Sequence, residues 1–261
     1  MERRDGMTVV ATVGTTHPLA FAGLGFAMLA LADDGVRPVF VVAGVTAQDA
    51  NHVLVRTALD AASIRAQFDA LRDAEIDAFH VGALVSADVV NAVADGLAGY
   101  SDVPVVVDPV FAATGGDALA DDATRAALRD RLFPLATIVT PNLDEAGVLL
   151  GRVIDDRDAM HEAANALRAC GARAVLVKGG HLNDDAVDVL ADERGTREFV
   201  SPRTHGTLRG TGDLLAVTIA ACLARGAHLA EAIEHGRRRV REAIARGVPF
   251  AGTRVATFSG Q

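Results

Sequence analysis

An α/β fold, with a central and mostly parallel sheet covered by helices on both faces, is what this sequence predicts from two features. Short β-branched runs alternate with longer Ala/Leu-rich amphipathic segments, the rhythm of strand–helix–strand units. After Lys178 the rhythm changes, and two strand-like runs follow one another across a polar turn. The parallel strands fall near Thr8 to Val13, Pro38 to Ala43, Ala78 to Gly82, Pro104 to Val107, Thr137 to Thr140 and Ala174 to Val177. Helices fill the intervals near Ala20 to Ala32, Ala61 to Ala74, Ala87 to Leu97, Asp122 to Leu132 and Asp158 to Cys170. Ala186 to Leu190 and Arg197 to Val200, joined by Asp192-Glu193-Arg194-Gly195, read as a small antiparallel hairpin at the sheet edge. Two long helices, Gly212 to Ala224 and Leu229 to Ala245, finish the pattern.

With 261 residues the chain can bury a large core, and residues 1–261 are expected to form a single domain without repeats or linkers. Hydrophobic residues make up 50%, yet no uninterrupted apolar run of about 18 residues occurs, which argues against a membrane span. The start, Met1-Glu2-Arg3-Arg4-Asp5-Gly6-Met7, carries both signs of charge and makes a poor signal peptide, so a cytoplasmic location is expected. Cys170 and Cys222 lie far apart in helical patterns and read as buried thiols. A net charge of −9 argues against nucleic-acid binding, and Arg237-Arg238-Arg239 with Arg241 reads as a solvated helix face.

Ligands of an open parallel sheet bind beyond the carboxyl ends of its strands. Residues just after each strand are therefore the candidates. Asp108 follows Val105-Val106-Val107, either as a site carboxylate or as the cap of the next loop. Asn142 and Glu145, three apart at a helix start, form a pair that could hold a hydrated Mg²⁺ through water, and the same spacing suits a capping box. Lys178 ends a strand before Gly179-Gly180, where a lysine reaches a bound polyphosphate or simply precedes a turn. Gly210-Thr211-Gly212-Asp213 opens an apolar helix. Its freed backbone N–H groups and the helix dipole suit a transferring phosphoryl group, with Asp213 beside it as a base, although a helix-opening turn would look the same in isolation. No G-x-x-x-x-G-K-[ST], complete G-x-G-x-x-G, H-E-x-x-H or G-x-S-x-G occurs, and the eight histidines show no metal-ligand spacing.

These segments resemble the ribokinase superfamily, and within it the hydroxymethylpyrimidine and phosphomethylpyrimidine kinases of thiamine biosynthesis. Val105 to Pro109, with Ala113-Thr114-Gly115-Gly116-Asp117-Ala118-Leu119, is similar to that family's V-V-D-P-V segment and its small-residue loop. Thr140 to Ala146 resembles T-P-N-L-x-E-A, Val177 to His181 resembles V-K-G-G-H, and Gly210-Thr211-Gly212 resembles the anion hole. The resemblance implies a ribokinase-like three-layer fold using ATP and Mg²⁺. It places Gly210, Thr211 and Gly212 at the transferred phosphoryl group, Asn142 and Glu145 at Mg²⁺, Lys178 on the phosphate charge and Asp108 on the metal and phosphate channel. Gln48 would bond the pyrimidine ring, with Gly14 also in the substrate pocket. Family members are often homodimers, which sets that expectation here.

The chain departs from the family twice. Asp213 stands where the pyrimidine kinases usually carry Cys, as it does in pyridoxal kinases and ribokinases. The glycine-rich, acid-bearing substrate loop is replaced by Gly14-Thr15-Thr16-His17-Pro18-Leu19-Ala20-Phe21-Ala22-Gly23, and Ala27 occupies the place of a second substrate Asp. The expected activity is phosphorylation of hydroxymethylpyrimidine, in preference to its monophosphate because this loop reads as apolar and without donors for a second phosphate. A pyridoxal or pyridoxine kinase, or a ligand-binding regulator derived from the family, are the alternatives.

Overall fold

The computed structural model describes residues 6–113, 116–180 and 185–258. Thr114, Gly115 and His181, quoted among the motifs above, lie outside the described residues. Nine strands form one sheet: β1 (Val9–Thr16), β2 (Arg37–Gln48), β3 (Val53–Ala58), β4 (Ala78–Val81), β5 (Val105–Val107), β6 (Ile138–Val139), β7 (Val175–Gly179), β8 (Asp185–Asp192) and β9 (Gly195–Pro202), in the order β3-β2-β1-β4-β5-β6-β7-β8-β9. The six strands β2, β1, β4, β5, β6 and β7 are mutually parallel. β3 closes one edge antiparallel to β2, and β8 with β9 forms the antiparallel hairpin at the other.

Strand periodicity sorts side chains onto two faces. Val10, Ala78, Val106, Ile138, Leu176 and Leu190 pack on one face beneath α1 (Gly23–Asp33), α7 (Thr211–Ala224) and α8 (Leu229–Arg246). Their neighbours Ala11, Phe79, Val105, Val139, Val175 and Val189 pack on the other. That face is covered by α2 (Ala61–Ala70), α3 (Ala87–Leu97), α4 (Asp122–Ala127), α5 (Leu143–Leu150) and α6 (Arg157–Arg168). Because α7 touches β1, β4, β5, α1 and α8, it is apolar on every side, with Leu214 to Ala221 all buried. The chain runs outward from β1 to β2 on one side and resumes at β4 on the other, so the crevice beyond these carboxyl ends lies at a topological switch point.

Several boundaries depart from the sequence pattern. The first helix begins at Gly23 rather than Ala20, since Ala22 is extended and Gly23 takes φ +64°, turning residues 17–22 into a loop over the strand ends. β2 continues five residues beyond Ala43, because β3 pairs with its extension from Gly44 to Gln48. The segment 122–132 begins as α4 and then widens into a π turn at Leu128–Leu132 before a short 3₁₀ turn at Phe133–Leu135. After α8 the chain adds a small hairpin, β10 (Val248–Phe250) and β11 (Thr253–Val255). Both cysteines are half-buried rather than buried.

The arginines of α8 are not uniformly a solvated face. Arg237 is buried, donating from Nε to Asp188 Oδ2 at 2.8 Å and from Nη2 to Ala186 O at 2.7 Å. Arg239 donates to Asp34 at 2.5 Å and to Ala30 O at 2.8 Å, tying α8 to the end of α1. Both are tethers whose partners come from distant parts of the chain.

Candidate active site

A cavity of about 530 Å³ opens beyond the carboxyl ends of the strands. β1 supplies Thr15 and the following His17 to its wall, β2 supplies Thr46 and Gln48, and Ala83 lies just after β4. Asp108, Asn142 and Lys178 arrive from the ends of β5, β6 and β7, and Gly210 to Asp213 descend from the start of α7. The structure thus brings Asp108, Asn142, Glu145, Lys178, Gln48 and the Gly210–Asp213 turn to one cavity. Gly14 stays within β1, facing the backbone of Ala83, and the wall is made by the residues after it.

Lys178 Nζ donates to Asp108 Oδ1 at 2.8 Å, and Thr140 Oγ1 donates to the same oxygen at 3.0 Å. Asp108 is 2% exposed, so the pair holds a carboxylate that burial would otherwise disfavour. On Lys178 burial alone would lower the pKa, but the charges of Asp108, Glu145 and Asp213 together outweigh it and raise the ammonium above its usual value.

Asn142 caps α5, accepting from Glu145 N at 2.8 Å while Glu145 Oε2 accepts from Asn142 N at 2.7 Å. The capping box is therefore formed, and it holds Glu145 in the cavity wall. Burial, with the charge of Asp108 adding, pushes Glu145 up to about 7.

The start of α7 has the features of an anion site. Gly210 takes φ +76°, and no side chain caps the helix, leaving its first N–H groups without a side-chain acceptor. A Cβ at Gly210 would stand 2.5 Å from Phe21 O, and one at Gly212 would stand 3.2 Å from Asp108 Oδ2 and 3.3 Å from Lys178 Nζ. Glycine lets the helix start meet the ion pair. Asp213 accepts from Gly23 N at 3.4 Å, and burial, reinforced by the Asp108 charge, raises its pKa to about 7. A carboxylate with that pKa is poised to take a proton near neutral pH.

Three carboxylates, Asp108, Glu145 and Asp213, face one ammonium, Lys178. This excess of hard oxygen donors fits a divalent cation such as Mg²⁺. Among the described residues no group of three or more His, Cys, Asp or Glu side chains is placed to hold a metal ion directly.

Sequence reasoning missed part of the cavity wall. His17, Phe21, Thr46 and Arg209 all line the cavity. Phe21 packs against His17, ring centroids 5.0 Å apart, and the Arg209 guanidinium stands 5.4 Å over the Phe21 ring. Arg209 is also anchored by its side chain on Ala50 O and by its backbone N–H on Arg254 O of β11. The loop from Gly14 to Gly23 therefore is not donor-free, since it brings His17 beside Arg209. The signal available was position: His17 directly follows the first strand.

A three-layer α/β/α sheet, with an acid behind an uncapped helix start and a lysine–aspartate pair bridging the ends of β5 and β7, defines a small-molecule kinase of the ribokinase-like class. A family model described as phosphomethylpyrimidine kinase matches residues 21–257, and the chain belongs to that family. The hydroxymethylpyrimidine/phosphomethylpyrimidine kinase of Streptomyces coelicolor is 40% identical over 227 residues, 86% of this chain and 83% of that protein. A thiamine biosynthesis bifunctional protein of Geobacter sulfurreducens is 42% identical over 213 residues, 80% of this chain and 44% of that protein. In structure, the ADP complex of Bacillus subtilis pyridoxal kinase matches with a TM-score of 0.88 at 29% identity, covering 97% of this chain and 98% of that one.

Proposed function

We propose that the protein transfers the γ-phosphoryl group of ATP to the hydroxymethyl group of hydroxymethylpyrimidine, in thiamine biosynthesis. The observation that carries this reading is Asp213, raised to about 7 and set behind the uncapped start of α7 in a cavity of about 530 Å³. Asp213 accepts the proton of the attacking hydroxyl as phosphoryl transfer proceeds in line. The N–H groups of Gly210, Thr211 and Gly212 and the dipole of α7 stabilise charge on the transferring group. Lys178, held by Asp108, balances phosphate charge. Asn142 and Glu145 would hold Mg²⁺ through water, and the ion supplies neutralisation of the nucleotide phosphates. Gln48 pairs with the ring.

With Arg209 on the wall, a second phosphate would meet a cation, so the monophosphate is retained as a substrate. The likeness to a pyridoxal kinase keeps pyridoxal and pyridoxine as rivals. A coupled ADP-release assay across hydroxymethylpyrimidine, its phosphate, pyridoxal, pyridoxine and ribose tests the reading. Turnover confined to the pyridoxal pair would replace it, and no turnover with any alcohol would favour the regulator.

We place the chain in the cytoplasm as a homodimer. Among the described residues no helix is long and apolar enough to cross a membrane. The β2–β3 edge exposes Phe40, Val45, Leu54 and Val55, an apolar surface suited to a second copy. Light scattering behind size exclusion measures the mass.

A further inference from the structure

Two side chains on the ring-side wall are buried without a hydrogen-bond partner of good geometry. His17 is 6% exposed and Thr46 is 1% exposed, and among the described residues neither ring nitrogen of His17 nor Oγ1 of Thr46 makes a hydrogen bond of good geometry. Leaving such groups unpaired is costly, because their hydration is lost with nothing to replace it. The strand register explains why they occur together. β1 pairs with β2 through Thr16 opposite Val45, so His17 and Thr46 are the next residues along the two parallel neighbours, and both line the cavity. Gln48 follows two residues later on the same strand and lines the same wall.

The chemistry of this edge is also defined. Burial lowers the His17 pKa from 6.5 and the Arg209 charge acts in the same direction, while hydrogen bonding toward the Ala22 backbone, too poor in geometry to satisfy the ring, opposes them. A neutral imidazole carries one donor and one acceptor, and a threonine hydroxyl can act as either. The packing of Phe21 against His17, with Arg209 over Phe21, limits how far the imidazole can swing away. A nitrogen heterocycle presents ring nitrogens that accept hydrogen bonds, whereas a benzene ring of the same shape presents none. An edge built around unpaired donors should reject the benzene analogue because the ligand then leaves those groups unsatisfied.

We propose that His17 is a specificity-determining residue, which together with Thr46 completes its hydrogen bonding on the ring nitrogens or ring substituents of the heteroaromatic alcohol. This deepens the kinase reading above and rests on it. His17 takes no part in the transfer itself. Its work is to distinguish a nitrogen heterocycle from a carbocycle of equal size, so its loss should appear in substrate binding and KM and leave nucleotide binding alone.

The test uses the intact protein and calorimetric titration with hydroxymethylpyrimidine, hydroxymethylbenzene and ADP separately, followed by steady-state kinetics. His17→Phe removes both nitrogens but keeps an aromatic ring against Phe21, and Thr46→Val removes only the hydroxyl. The expected result for His17→Phe is a Kd for hydroxymethylpyrimidine weakened about tenfold or more, with preference over the benzene analogue largely lost and ADP affinity within about twofold of the parent. His17→Asn, which keeps a donor and an acceptor, should recover part of the preference. If His17→Phe does not fold, Thr46→Val and His17→Asn carry the test, with Thr46→Val expected to weaken hydroxymethylpyrimidine severalfold. A parent that binds the pyrimidine while the folded variants keep its full preference would overturn this inference alone. A parent that binds no heteroaromatic alcohol would overturn the kinase reading and this inference with it.

Discussion

The two walls of the cavity treat buried polar atoms in opposite ways. Below the start of α7, Asp108 is bonded by Lys178 and Thr140, and Asn142 and Glu145 bond each other, so this wall is assembled before any ligand arrives. At the ends of β1 and β2, the polar atoms of His17 and Thr46 are left without hydrogen-bond partners of good geometry among the described residues. A wall whose dipoles and charges are already fixed is suited to stabilising charge that develops during transfer. A wall with unmet hydrogen-bonding groups is suited to choosing what enters. The difference predicts that substitutions on the first wall change kcat and stability, whereas substitutions on the second change KM.

The largest effect should come from Asp213→Asn, which is expected to lower kcat by about 10²- to 10⁴-fold with nucleotide affinity retained. Turnover within a few-fold of the parent would remove the base from the assembled wall. The same variant has a signature in stability. In the folded protein Asp213 titrates at about 7 instead of 3.8, so between those values it holds a proton that the unfolded chain has released. Parent stability therefore carries a contribution that is full below about pH 4, declines as pH rises and is lost above about pH 7. Asp213→Asn should melt higher than the parent at pH 8, with the gain vanishing toward pH 4, as thermal unfolding across pH would record.

Next comes Lys178→Met, which strands Asp108 as a buried charge and should cost about 3–5 kcal/mol in urea unfolding, besides its loss of activity. A stable Lys178→Met protein would show that the ion pair is not what holds this wall together. Gln48→Ala, on the opposite wall, should raise KM for the alcohol by about tenfold while leaving the melting temperature and ADP affinity nearly unchanged. A kcat effect there without a KM effect would erase the contrast between the walls. The smallest structural effect is expected of Glu145→Gln, because glutamine can still accept the Asn142 N–H bond of the capping box. It should raise the Mg²⁺ concentration needed for half-maximal rate severalfold with little change in melting temperature, and a marked loss of stability with an unchanged Mg²⁺ requirement would assign Glu145 to capping alone.

Much of the fold was legible because burial writes itself into sequence. The runs Val105 to Val107 and Val175 to Val177 are apolar on both sides because helices cover both faces, and the residues after them, Asp108 and Lys178, stand out for being polar at a strand end. Asn142 with Glu145, and Gly210 with Asp213, were legible for a related reason: a helix start needs caps or glycines at fixed spacing. The strand β3 left no such pattern, since nearly all of its residues are exposed, and its absence also hid the extension of β2 that carries Thr46 and Gln48. Arg237 and Arg239 looked like surface charge because the carboxylates they pair with, Asp188 and Asp34, lie 49 and 205 residues away in the chain.

By itself, the order of residues determined the alternation of strands and helices, the hairpin that ends the sheet and the groups placed at strand exits, since these depend on local periodicity and turn chemistry. Only the tertiary structure decided which of those groups pair and which stay unpaired. Lys178 meets Asp108 across 70 positions, while the ring nitrogens of His17, one residue beyond β1, meet no hydrogen-bond partner of good geometry among the described residues. Pairing of this kind is a property of distance in space, set by sheet order and register, and no short stretch of sequence contains it.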